Sequence, residues 1–383
     1  MHEKISWFWV PELLFFYFFY WASFSVLVPY LGIYYDAIGF RGTQIGLATG
    51  LFSFSYVIGM LFNNFLVDTF KIFKYSLLTF LLINLIGILL IKNTENFPTI
   101  MVGIFLLGFG IAPASTIVDE QLTCRLGDLS GNYSYFRSAG PIGFLVASIV
   151  AGQCIKQYSI TAIFSLHIAI LLILLGIYLS FPKTIARLPH PDKSKLSDLL
   201  ANKTFLILMV CLLLWGLAES GFTQFLALLM NNYGYDSVQI SIIMATGTAG
   251  EFITFLFITK ISNKLTYKQL IIWSFCFQIF HYFMIIMGYS SFTMLFLGKF
   301  IGGAAFAFVW PATTILIMKK LPNTYATSAQ GAKAIMIDGI GPILGFQIFG
   351  LSYQYFSLHT AFRILIIIPI LGVVYSLIFL KKT

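Results

Sequence analysis

Residues 97–144 read FPTIMVGIFLLGFGIAPASTIVDEQLTCRLGDLSGNYSYFRSAGPIGF. From Phe97 to Val118 the stretch carries no charge, and it then meets Asp119 and Glu120. A short polar turn, Arg125 to Asn132, follows before apolar sequence resumes through Arg137 and Gly140. Two apolar runs of that length, joined by a few polar residues, form a hairpin of membrane-spanning helices. An ionised side chain inside such a span costs about 2.5–3.5 kcal/mol on insertion scales, so it persists where it is paired or faces a wet cavity. Asp119 and Arg137 have opposite charge on neighbouring helices and form the obvious pair, with room for a solute between them. A structural salt bridge without a ligand is the alternative. Glu120 points about 100° away from Asp119 on a helix and is expected to reach the interface.

The rest of the chain has the same character. Of 383 residues, 59% are hydrophobic, 17% aromatic and only 10% charged, and the mean hydropathy is +0.90. A water-soluble surface needs far more charge. The expected fold class is an all-α integral membrane protein with twelve transmembrane helices in two six-helix bundles. Apolar runs place helices 1 to 6 near 10–35, 43–67, 74–91, 98–122, 133–155 and 160–181. Helices 7 to 12 fall near 204–231, 237–259, 267–287, 292–318, 325–353 and 358–380. The domains read as an N-terminal bundle (1–181), a cytoplasmic linker (182–203) and a C-terminal bundle (204–383). The first run is too long for a signal-peptide core and reads as a retained helix.

Charge placement sets the orientation. With the N-terminus inside, sixteen of the 23 Lys and Arg residues fall on the cytoplasmic side. Four (Arg41, Lys92, Lys156 and Arg363) fall outside, and Arg137, Lys299 and Lys333 lie within spans. That asymmetry places both termini in the cytoplasm of a multi-pass cell-membrane protein. The net charge of +9 is thereby explained by topology, and no nucleic-acid partner is expected. The four cysteines (Cys124, Cys154, Cys211 and Cys276) show no paired spacing, so neither metal nor disulfide is indicated.

The halves overlay at an offset of 195 residues. Gly39, Phe40, Gln44 and Ile45 fall on Gly234, Tyr235, Gln239 and Ile240, and Asp68 falls on Asn263. At an offset of 198, Pro113-Ala-Ser-Thr116 falls on Pro311-Ala-Thr-Thr314. A duplicated six-helix unit is the plan of a rocking two-bundle transporter.

On these features the chain resembles the major facilitator superfamily over essentially its whole length. That family carries Gly-x-x-x-Asp-Arg/Lys-x-Gly-x-Arg/Lys after its second helix. Here the copies are degraded to Asn64-x-x-x-Asp68-Thr69-x-Lys71 and Thr259-x-x-x-Asn263-Lys264-x-Thr266-x-Lys268. Asp68, Lys71, Asn263 and Lys264 are the expected conformational-switch residues, bridging helix ends on the cytoplasmic side. Within the superfamily the chain is most similar to the lactose-permease and phenylpropionate-permease group. The likeness rests on Pro29-Tyr30-Leu31, the Gly39–Gly46 stretch, Asp119, Tyr133–Phe144, Glu251 and Ala329-Gln330-Gly331. It implies that Asp119 and Arg137 hold the substrate and that Glu251 takes part in proton coupling. Two positions depart from that group: His281 stands where helix 9 usually has arginine, and Gly302 where helix 10 usually has histidine.

A carboxyl group at the depth of Glu251 is relieved by taking up a proton, which is what a proton carrier needs. A permanently protonated, hydrogen-bonded acid is the alternative. His281 is the side chain type whose charge changes nearest neutral pH, against the commoner buried structural histidine. Lys333 and Asp338 in helix 11 complete the expected proton-coupling set. Five residues apart, they do not share an α-helical face, so each is expected to meet another helix. Asp338 with Lys299, or Lys333 with Glu251, are the candidate pairs. Glu219 is a further deep charge. In the aromatic run of helix 1, Tyr20 and Trp21 are candidates for stacking on a substrate ring, with packing as the alternative.

The expected function is proton-coupled symport of a sugar, nucleoside or aromatic carboxylate by alternating access. A proton-driven exporter and a non-transporting sensor are the alternatives. The partners are a small-molecule substrate, protons and the lipid bilayer, in a monomer without cofactor. Nothing in the sequence supplies an enzyme's nucleophile and base or a phosphate-binding loop.

Overall fold

The computed structural model describes residues 10–70, 73–126, 138–180, 199–262, 264–321 and 326–380. Twelve of its helices are long and apolar enough to cross a membrane. In hydrocarbon a backbone must satisfy its own hydrogen bonds, and a helix does so within one segment. Large apolar side chains such as Leu179, Leu256 and Phe283 are more than half exposed, as expected where the solvent is lipid.

Helix 1 runs Val10–Leu27, passes through a 3-10 turn at Val28–Tyr30 and continues as Leu31–Ala37. Helices 2 to 6 span Gly42–Phe70, Phe73–Lys92, Phe97–Leu126, Ala139–Gln157 and Ala162–Ser180. Helix 7 has two parts, Lys203–Glu219 and Gln224–Asn232, divided by a 3-10 turn at Ser220–Phe222. Helices 8 to 10 span Ser237–Ser262, Tyr267–Gly288 and Phe292–Lys320. Helix 11 starts as Ala326–Ala334, widens into a π-helical segment at Ile335–Ile340 and resumes as Gly341–Tyr355. Helix 12 comprises Leu358–Leu365 and Ile367–Phe379. The expected boundaries agree to within a few residues, except at helix 5, whose described part begins at Ala139. Prolines sit inside helices 4 and 10, at Pro113 and Pro311, as the offset of 198 pairs them.

The duplication is visible in the helix 1–2 and 7–8 turns. Gly39 and Gly234 are the described glycines with positive φ, at 83° and 82°. A side chain there would strain the backbone, which is why glycine occupies both. Gly39 N–H donates to Asp36 O and Phe40 N–H to Tyr35 O; Gly234 N–H and Tyr235 N–H donate to Asn231 O and Met230 O. Each turn is closed by a glutamine accepting a backbone N–H three residues earlier. Gln44 Oε1 accepts from Arg41 at 2.8 Å, and Gln239 Oε1 from Asp236 at 3.0 Å.

The chain divides into two compact units: Met1–Tyr34 with Leu51–Pro189, and Tyr35–Gly50 with His190–Thr383. In the first, helix 1 packs on helices 5 and 6, and helix 3 on helices 4 and 6. His167 of helix 6 is fully buried there. Its Nδ1 lies 3.1 Å from Ser23 O and its Nε2 2.9 Å from Asn84 Oδ1, while Asn84 Nδ2 donates to Leu107 O. In the second unit, helix 10 packs on helices 8 and 9, and helix 7 on helices 11 and 12. Its core centres on buried Trp215, whose indole N–H donates to Ser274 at 2.7 Å while Ser274 donates to Ala305 O. The start of helix 2 belongs to this unit and lies on helix 11. Tyr353 donates to Asp36 Oδ1 at 2.8 Å, Gln347 Nε2 to Gly46 O, and Thr43 to Gln354.

Candidate functional site

The break in helix 7 builds the polar centre of the second unit. Glu219 ends the first part of the helix, and Ser220–Phe222 turn away from the α-helical bonding pattern. That turn leaves the Phe222 carbonyl open to an outside donor, and Lys299 of helix 10 fills the role at 2.6 Å. The lysine stem reaches it by lying across Gly247 of helix 8, where an added Cβ would come within 2.8 Å of Lys299 Cε.

Glu219 is bonded from the other side. Gln278 of helix 9 donates to its Oε2 at 3.1 Å and also reaches Trp215 O at 3.3 Å. One helical turn on, Tyr282 donates to Ala218 O at 2.9 Å. The carboxylates of Glu219 and Glu251 both lie close enough to act on the Lys299 charge. Lys299 is thus the hub of the cluster, and Glu251, partly buried on helix 8, contributes to it electrostatically.

His281 lies in helix 9, three residues beyond Gln278. Its ring stacks on Phe222 with centroids 3.8 Å apart and planes 25° apart. It is fully buried, and neither ring nitrogen has a hydrogen-bond partner. Gly302 faces the ring so closely that a Cβ there would overlap Nδ1. The two departures noted in the sequence are therefore one steric fact: glycine at 302 makes room for the histidine at 281. The Lys299 charge acts on His281 and has the same sign as an imidazolium.

Helix 11 corrects one expectation. Lys333 is buried, with Nζ 3.8 Å from the centroid of the Trp310 ring and 2.7 Å from Thr314 Oγ1. Asp338 feels the Lys333 charge after all. In an α-helix residues five apart diverge by about 140°, but the π segment bonds i to i+5 and turns more residues per turn. Gly341 N–H to Met336 O is one such bond. The register between Lys333 and Asp338 is therefore not α-helical, and each acts on the other within one helix. Lys299, for its part, feels the charges of Glu219 and Glu251.

In the first unit Tyr20 is 1% exposed and packs edge-on against Trp21 and at a tilt against Phe24, both with centroids 5.6 Å away. Trp21 is partly buried, and its indole lies against Gly140 of helix 5. Asp119 lies in the last turns of helix 4 and Asp68 near the end of helix 2, and only their backbones are described. Arg137, Lys71 and Asn263 lie outside the described residues, while Lys264 is exposed in the helix 8–9 turn. Gln278 was missed. Its i, i+3 spacing from His281 on an apolar helix was the available signal.

Twelve apolar helices with charges gathered inside one of the units define a polytopic membrane protein. A model of the MFS_1-like family matches residues 11–364, and the chain belongs to that family, within the major facilitator superfamily. Among related sequences, the Escherichia coli (strain K12) protein named "Putative nucleoside transporter YegT" is 22% identical over 263 residues. That match covers 63% of this chain and 60% of the relative's length. Among solved structures, a point variant of the nucleoside transporter NupG superposes with a TM-score of 0.87 at 20% identity. It covers 97% of this chain and 100% of that one. A bacterial homolog of the human lysosomal transporter Spinster, inward-facing and unoccupied, superposes at 0.76 with 12% identity, covering 98% and 97%.

Proposed function

We propose that the protein is a proton-coupled symporter that carries nucleosides across the cell membrane by alternating access. The observation that carries the reading is the Glu219–Lys299–Glu251 cluster, two carboxylates around one ammonium inside a membrane-length bundle. Such a cluster holds one charge short of balance, and a proton taken up by either acid removes the excess. The likeness to YegT and NupG, both named as nucleoside transporters, favours a nucleoside among the sugar, nucleoside and aromatic acid expected from sequence. Asp119 and Arg137 are the proposed substrate ligands, with Tyr20 and Trp21 as the aromatic wall. Glu251 is the proposed proton carrier, accompanied by His281, Lys333 and Asp338. Asp68, Lys71, Asn263 and Lys264 are the proposed cytoplasmic switch, and both termini are cytoplasmic.

Uptake of labelled uridine and adenosine into proteoliposomes, with an inward proton gradient imposed, tests the reading. Lactose and phenylpropionate serve as competing solutes. Gradient-driven accumulation of a nucleoside that is lost in Glu251→Gln, with binding lost in Arg137→Ala, is the expected result. Accumulation of only the sugar or the acid would remove the substrate assignment. Flux without proton movement would remove the coupling.

A further inference from the structure

Lys299 and Glu219 carry opposite charges and act on each other, yet neither is bonded to the other. The ammonium holds the Phe222 carbonyl at 2.6 Å and the carboxylate accepts from Gln278 at 3.1 Å. Glu219 and Phe222 stand at the two ends of the same 3-10 turn, three residues apart. The lysine stem approaches over Gly247, so closely that a side chain there would collide with it. Phe222 in turn carries His281 on its ring, and the outer part of helix 7 begins two residues later.

We propose that Lys299 is a positioning residue that works the break in helix 7 from two seats. With Glu219 neutral, the ammonium stays on the Phe222 carbonyl and pins the turn to helix 10. With Glu219 charged, the carboxylate draws the ammonium away and the turn is released, loosening Gln224–Asn232. The desolvated ion pair gained is stronger than the charge–carbonyl bond given up, so the direction is set by Glu219's proton. The other groups bearing on the pair are few. Glu251 of helix 8 and His281 of helix 9 act on Lys299, and Tyr282 is committed to Ala218 O. On helix 11, Lys333 and Asp338 act on each other, and Ile367–Phe379 of helix 12 carries no charge. The device would serve the transport cycle proposed above, but its test reads backbone protection alone and stands or falls without any flux.

Amide hydrogen exchange of the full-length protein in nanodiscs is followed for peptides covering 218–232, at about pH 6 and about pH 8, after correction for intrinsic exchange. In the wild-type protein the corrected exchange should rise about tenfold at the higher pH. Glu219→Gln should stay protected at both values, Lys299→Met should exchange fast at both, and Lys299→Arg should restore the wild-type response. A Glu219→Gln protein that responds to pH as the wild type does would overturn the proposal. So would a Lys299→Met protein as protected as the wild type. If Lys299→Met does not fold, the near-isosteric Glu219→Gln decides alone.

Discussion

Position 302 fixes where the ring of residue 281 can lie. A methyl group at Gly302 would enter the space of His281 Nδ1, and overpacking of this kind costs typically about 1–3 kcal/mol. Gly302→Ala should therefore lower the thermal unfolding temperature in detergent, and adding His281→Ala should recover part of the loss. A double-mutant cycle with no coupling would disprove the contact. Trp215 presents the opposite case, a buried donor with a single well-placed acceptor. Ser274→Ala removes that acceptor and leaves the indole N–H unsatisfied, at about 1–3 kcal/mol. The same assay should show the loss, and Ser274→Thr, which keeps the hydroxyl, should show less. Sequence singled out Glu219, Lys299 and His281 because charge and imidazole are rare in apolar helices. It could not pair them, because a partner is chosen by how helices 7, 9 and 10 cross. Lys333 and Asp338 were misjudged because counting residues presumes an α-helical register.

The breaks within helices carry as much information as the helices. Helix existence was legible from apolar length, and the turns at 35–41 and 230–236 from a matched glycine and a matched glutamine. The structure gives those matches a mechanical reason, since both glycines hold positive φ and both glutamines cap the following helix. An alanine forced into that left-handed region costs roughly 1–2 kcal/mol. Gly39→Ala and Gly234→Ala should destabilise by similar amounts in denaturant titrations, and the asparagine variants by less. Unequal effects would mean that the two turns are not equivalent. The 3-10 turn of helix 7 and the π segment of helix 11 had no such sequence signature. Neither Ser220-Gly221-Phe222 nor Ile335–Ile340, even with Asp338 in it, carries a residue that dictates a 3-10 or π bonding pattern, and packing against neighbours selects it.

For the molecule as a whole, charge asymmetry and lipid-facing surface make one prediction about topology. Alkaline phosphatase fused in the loop beside Arg41 should be active, and the same enzyme fused after Lys382 should be silent. A green fluorescent protein at the second site should fluoresce. The reverse pattern would invert the assigned orientation. Asp119 and Arg137 stood out in the sequence as the proposed solute ligands, whereas the titratable residues were named one by one without their wiring. The fold class and the twelve spans were recoverable because they depend on repeated, long-range regularities of composition, while the wiring depends on a few crossings.

The widened segment at Ile335–Ile340 bears on how helix 11 tolerates a change of length. A turn bonded i to i+5 holds one residue more than an α-helical turn. Deleting one residue from a membrane helix normally rotates everything beyond it onto the wrong face. Here, removal of Met336 should instead let helix 11 close into an uninterrupted α-helix with both flanks still correctly facing. The variant should reach the membrane and unfold cooperatively, while a deletion at Phe346, five residues into the regular part, should not. In that sense the segment is slack built into helix 11, one residue that the helix can give up without turning its flanks.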